Sequence, residues 1–110
     1  MEYIVSIDND GHDKFEENAD NVAVIEVFDN KGQKIGSNSK VEIFLSKNAL
    51  LGLGTELIRL AHNYVEGKHY HITPADKEML CQRMGIFLTP DSSELIITCC
   101  DNEKIDDYIK

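Results

Sequence analysis

Residues 41–67, VEIFLSKNALLGLGTELIRLAHNYVEG, hold the change of period on which the fold turns. Val41-Glu42-Ile43-Phe44-Leu45 is rich in β-branched and apolar residues and reads as a strand. Ser46 stands where a helix N-cap is favoured, because a hydroxyl there accepts from a backbone N–H that has no partner inside the helix. Beyond it Leu50, Leu53, Leu57, Leu60, Ala61 and Tyr64 follow at spacings of three, four, three, one and three, a single apolar stripe at helical period. Gly52 and Gly54 each weaken a helix by about 1 kcal/mol relative to alanine. The pattern therefore also admits a helix that starts near Gly54-Thr55, with residues 46–53 as a lead-in turn. Gly67 marks the expected stop.

Outward from this stretch the pattern is mostly strand-like. Residues 3–7 alternate, and residues 22–28 are almost continuously apolar up to the turn signal Asp29-Asn30-Lys31-Gly32, after which residues 33–35 can pair back as a hairpin. On the other side, His69-Tyr70-His71-Ile72-Thr73 is a candidate strand closed by Pro74, with a helical turn expected over residues 76–81. Ile86-Phe87-Leu88 and Leu95-Ile96-Ile97-Thr98-Cys99 flank a turn-forming segment and read as a closing hairpin. The acidic tail, residues 101–110, is a short helix or a frayed end. The order of elements predicts an α+β fold: a single, mainly antiparallel sheet with one main helix packed on one face.

At 110 residues the chain is expected to form a single domain, 1–110, with one modest core. Hydrophobic residues make up 42% and charged residues 28%, which is ordinary globular usage and argues against disorder. No apolar run reaches bilayer length, and the start Met1-Glu2-Tyr3-Ile4 lacks a basic and apolar leader pattern, so neither a membrane span nor a secretory signal is expected. The cysteines, Cys81, Cys99 and Cys100, are odd in number and two are adjacent, a poor disulfide framework that points to a reducing cytoplasm. Neighbours in a strand face opposite ways, so at most one of Cys99 and Cys100 easily faces the core. The net charge of −9 disfavours nucleic acid and anionic membranes and favours a basic protein as partner.

Acidic residues crowd into one segment: Asp8, Asp10, Asp13, Glu16, Glu17 and Asp20, with Lys14 alone against them and Phe15 the lone aromatic. Asp101, Glu103, Asp106 and Asp107 form a second run, which an antiparallel arrangement can bring beside the first. Together they would steer a basic protein, with Phe15 as an apolar anchor; the plainer reading is solvated acids with Phe15 tucked onto the sheet. Asp8, Asp10 and Gly11 look like the opening of a calcium loop, but Asp13 stands where that loop needs glycine and Ala19 where it needs glutamate. His62, His69 and His71 could form a metal centre, and a small metal-binding protein or hydrolase built on them is the alternative function. The plainer reading puts His69 and His71 on the open face of a strand, and no metal or cofactor is assigned. No serine elbow, Cys-x-x-Cys pair, dinucleotide loop or P-loop is present, Cys81 reads as an ordinary structural thiol, and no enzymatic activity is expected. A third possibility is self-association through a sheet edge near residues 86–99.

Val41-Glu42-Ile43-Phe44-Leu45-Ser46 leading into Leu57-Ile58-Arg59-Leu60-Ala61 resembles the strand-to-helix core of small bacterial immunity proteins, those of polymorphic toxin systems including contact-dependent growth inhibition. His69-Tyr70-His71-Ile72 and Glu94-Leu95-Ile96-Ile97 continue the likeness, which covers residues 41–100. The resemblance implies a cytosolic, non-enzymatic protein that binds one cognate toxin domain, often a basic nuclease, and blocks it. It transfers no contact residue, and the acidic segment at residues 8–20 lies outside it.

Overall fold

The computed structural model describes residues 2–7, 18–36, 38–76 and 82–109. The chain packs as two compact units, Met1–Tyr3 with Phe44–Asp101 and Ile4–Ile43 with Asn102–Lys110. We call them the helix unit and the hairpin unit.

The helix unit is built on α1, Lys47–His62. It begins directly after Ser46, whose Oγ accepts from the Ala49 N–H at 3.1 Å, so the cap and not the glycines sets the start. Asn63 closes the other end by donating its backbone N–H to the carbonyls of Arg59 and Leu60. Arg59 and His62 in the last turn suit the negative end of the helix dipole. The helix thus stops short of Gly67, which lies in the turn that follows.

Two strands accompany α1: β3, His69–Ile72, and β4, Leu95–Thr98. They pair antiparallel, His69 opposite Thr98 and Ile72 opposite Leu95. The ladder runs on, as the Gly67 N–H donates to Cys99 O and the Cys99 N–H to Lys68 O, both at 2.8 Å. The expected closing hairpin is therefore a misassignment of partners. β4 reaches back past residues 86–88 to β3, while Leu88 makes an isolated parallel bridge with Pro74. Burial explains the choice, because this register places Ile72, 1% exposed, in a core with Ile86, Ala75 and Cys99. Cys99 is buried and Cys100 exposed, as strand alternation requires.

A tight turn at residues 83–86 completes this unit. Arg83 and Ile86 exchange both backbone hydrogen bonds, at 3.0 and 3.1 Å. The two residues between them, Met84 and Gly85, have φ of 52° and 79°, the left-handed pair of a type I′ turn. Gly85 meets Gly52 of α1 backbone to backbone, and a Cβ on either glycine would collide with the other's main chain. In α1 the half-buried residues are Ala49, Gly52, Leu53, Gly54, Glu56, Ile58 and Leu60, so Leu53 and Leu60 of the expected stripe turn inward while Leu50 and Leu57 are exposed.

The hairpin unit holds β1, Val27–Phe28, paired antiparallel with β2, Lys34–Ile35. Asp29 governs the connection: its Oδ1 accepts from the N–H groups of Lys31 and Gln33, each at 2.9 Å. Gly32 supplies the left-handed residue, φ 79°, that a three-residue hairpin loop needs. A short helix α2, Ile105–Tyr108, is tied to the same unit by the Ile105 N–H donating to Ala19 O at 2.8 Å. Asn102 Nδ2 adds a bond to Val22 O at 3.1 Å.

The fold is α+β with one main helix, but the described residues form two separate two-stranded antiparallel sheets in place of the single sheet expected. Residues 3–7 and 41–45 carry strand-like composition but have no ladder partner among the described residues. Strand propensity records side chains suited to a half-buried pleated surface and does not supply the neighbour that pairing needs. Among the described residues no helix is long and apolar enough to cross a membrane.

Candidate partner-binding surfaces

Of the acidic segment proposed from sequence, Asp20 falls within the described residues; Asp8, Asp10, Asp13, Phe15, Glu16 and Glu17 lie outside them, as does Cys81. Asp20 is exposed, in the turn where the Asn21 N–H donates to Asn18 O at 3.0 Å. The bonds from Ile105 to Ala19 and from Asn102 to Val22 bring the C-terminal acids to this end of the segment. Glu103, Asp106 and Asp107 are exposed on this C-terminal segment, as Asp20 is on the turn it is bonded to.

The three histidines do not converge. His69 and His71 project from the same face of β3, with ring centroids 5.2 Å apart in an edge-on arrangement. His71 Nδ1 lies 3.0 Å from Glu94 Oε1, and His69 Nδ1 lies 3.1 Å from the carbonyl of Gly67. His62 is instead stacked on Tyr3, centroids 4.1 Å apart. Among the described residues no group of three or more His, Cys, Asp or Glu side chains is placed to hold a metal ion.

Tyr64, just past α1, has its hydroxyl between two carboxylates, 2.5 Å from Asp101 Oδ1 and 2.8 Å from Glu66 Oε2. The Asp101 backbone N–H also donates to Glu66 Oε2, at 2.7 Å. The bond to Asp101, then desolvation, then the bond to Glu66 hold the phenol well above its ordinary pKa. This knot joins the exit of α1 to the exit of β4. In the loop before β4, the Thr89 hydroxyl donates to Asp91 Oδ1 at 2.7 Å, and this bond, aided by Asp91's own N–H, holds the Asp91 carboxyl below its ordinary pKa.

Sequence reasoning missed a cleft of about 410 Å³ inside the helix unit. One wall is the C-terminal half of α1, through Glu56, Arg59, Leu60 and Asn63, whose spacing puts them on one helical face. Lys68 and Tyr70 come from the β3 side, and Arg83 and Met84 from the type I′ turn. Arg59 pairs with Glu56, and the Lys68 ammonium sits 5.7 Å above the centre of the Tyr70 ring. No signal in the sequence joins Arg59, Lys68 and Arg83; the Gly52–Gly85 contact and the β3–β4 register gather them.

Comparison with known proteins adds one positive finding. The sequence model of a family described as Immunity protein 32 matches residues 40–100, more than half of the chain. That span coincides with the body of the helix unit and stops short of the acidic segment. No curated protein and no solved structure matches the chain.

Proposed function

The chain belongs to the Immunity protein 32 family, and from that membership we propose that it binds a cognate toxin domain and neutralises it by occlusion, without catalysis of its own. The observation that carries this reading is the family match over residues 40–100, the part of the chain that contains every buried core residue described. The toxin is a basic domain, most naturally a nuclease, and the encounter takes place in the cytoplasm, in a polymorphic toxin system of the contact-dependent growth inhibition kind. The net charge of −9 supports this choice, since a protein that grips phosphates presents cations which a strongly acidic inhibitor attracts over roughly a Debye length.

Asp8, Asp10, Asp13, Glu16, Glu17 and Asp20 supply the steering charge in this proposal, and Phe15 the apolar anchor at its centre. The bond between the turn of Asp20 and the segment that carries the exposed acids of residues 103–107 supports a continuous anionic surface. The test is binding of the purified chain to the toxin domain encoded beside it, at low and high salt, together with protection of cells that express that toxin. Loss of growth protection and of binding in the unaltered chain would overturn the function. If the six acids are changed to their amides and neither affinity nor salt dependence moves, the acidic surface is not the contact.

A further inference from the structure

We propose that the cleft between α1, β3 and the turn at residues 83–86 is a second contact surface of this chain and receives an acidic side chain of its toxin partner. The inference rests on the immunity reading above and assigns the partner's chemistry at a place that reading leaves unused.

The argument begins with charge. The helix unit contains five lysine and arginine residues against eight aspartates and glutamates, yet three of those five cations, Arg59, Lys68 and Arg83, line this one cleft, with Glu56 the lone acid there. Glu56 is engaged by Arg59. Lys68 and Arg83 make no ion pair among the described residues, and the Lys68 contact with Tyr70 leaves its charge uncompensated. In a protein of net charge −9, concentrated positive charge in a concave site is the feature that composition alone disfavours.

Backbone geometry adds an independent reason. Arg83 and Met84 are held at the cleft by the type I′ turn, in which Met84 adopts φ 52° without being glycine. Such a conformation is uncommon for a bulky residue and persists where the surroundings impose it. Gly85 of the same turn lies backbone to backbone against Gly52 of α1, so the Cα of Arg83 is anchored to the helix beside the cleft.

The occupant follows from size and field. With Arg59 held by Glu56, the guanidinium of Arg83 and the ammonium of Lys68 suit a carboxylate, which arginine can grip through two parallel hydrogen bonds, and Tyr70 and Leu60 offer apolar surface to its methylene stem. A nucleic-acid strand would bring many phosphates against a chain of net charge −9, and its affinity depends on neutralising several of them at once. A single carboxylate on a protein that is otherwise basic meets cation with anion here and anion with cation elsewhere, which also fixes the orientation of docking.

The experiment uses the full chain and the toxin domain encoded beside it. Arg83→Gln and Lys68→Gln, singly and together, are compared with the pair Lys31→Gln and Lys34→Gln, which changes net charge equally within the hairpin unit. Thermal melting checks that each variant is folded; because the altered side chains are exposed, no change is expected. The proposal expects the cleft pair to weaken toxin binding by about tenfold or more through faster dissociation, with the hairpin-unit pair close to the unaltered chain. Equal binding by both pairs, while the unaltered chain binds the toxin, overturns the cleft and leaves the immunity reading standing. Failure of the unaltered chain to bind removes the immunity reading and the inference with it. Saturable binding of a short RNA that is lost in the cleft pair alone assigns the site to phosphate and also overturns the proposal.

Discussion

The two units contrast in what holds them. The helix unit carries Ile72, Ala75, Ile86 and Cys99 in a core, a capped helix of 16 residues and a long-range strand pair. The hairpin unit has no buried residue among those described and is tied by single bonds, Asp29 to its own turn and Ala19 and Val22 to the C-terminal segment. It also carries twelve of the twenty acids against six lysines. Packing has been concentrated where the family match lies and charge where it does not. On the function proposed above, this contrast divides a packed scaffold from a steering surface, because long-range attraction depends on net charge and tolerates loose packing.

The strongest way to break this division is to attack the frame at Gly52. Gly52→Ala pushes a methyl into the Gly85 backbone and should cost about 3 kcal/mol of stability in urea unfolding. Gly54→Ala, two residues along the same helix and facing open space, should instead stabilise by about 1 kcal/mol. Equal effects at the two glycines would show that helix propensity, and not the close approach, governs both.

Next in size is core deletion. Ile72→Ala, at a side chain 1% exposed, should cost about 3 kcal/mol, whereas Ile25→Ala in the hairpin unit, 73% exposed, should stay within about 0.5 kcal/mol. A large loss at Ile25 would mean that the hairpin unit has a packing role the comparison denies it. Smaller again is Asp29→Ala, which removes the acceptor of two turn N–H groups and should cost about 1 kcal/mol. The loss should be confined to the hairpin unit and be read as faster amide exchange at residues 31 and 33.

The smallest effects are protonic. Asp91, its pKa lowered by the Thr89 hydroxyl, should titrate below the ordinary 3.8, and Thr89→Val should return it towards that value in an NMR titration. A carboxyl with a depressed folded pKa contributes stability above its unfolded pKa and loses it as pH falls through the folded value, so this contribution fades on the acid side of 3.8. Tyr64 has the opposite sign. Its phenol holds its proton more tightly in the folded chain, so its contribution is present below 10.0 and is lost only as pH rises beyond that value. A tyrosine ionisation above the ordinary value of 10.0 should therefore appear in an absorbance titration, and Tyr64→Phe should remove it.

Local signals in the sequence were read well where one short segment contains both the cause and its effect. Ser46 caps a helix whose first N–H groups lie next to it, and Asp29-Asn30-Lys31-Gly32 makes a turn from its own side chain and glycine. Cys99 and Cys100 divide between core and solvent because alternation is a property of adjacent residues. The acidic segment was equally visible, since charge needs no partner to be counted, and Asp20 is its described member.

What needed the tertiary structure was every choice among partners distant in the chain. β4 was expected to pair with residues 86–88, the near and more apolar segment, but it pairs with β3, a register that buries Ile72. The face of α1 that packs includes Leu53 and Leu60 of the apolar stripe but also Gly52 against Gly85, because backbone proximity depends on the missing side chain and on a partner 33 residues away. Arg59, Lys68 and Arg83 are unremarked in sequence and become one cleft only when helix, strand and turn assemble. The sequence by itself thus determined composition, caps, turns and the sign of the surface, all short-range or additive properties. Pairing, packing face and the cationic cleft were decided by the fold, because each depends on which of several compatible surfaces wins the competition for burial.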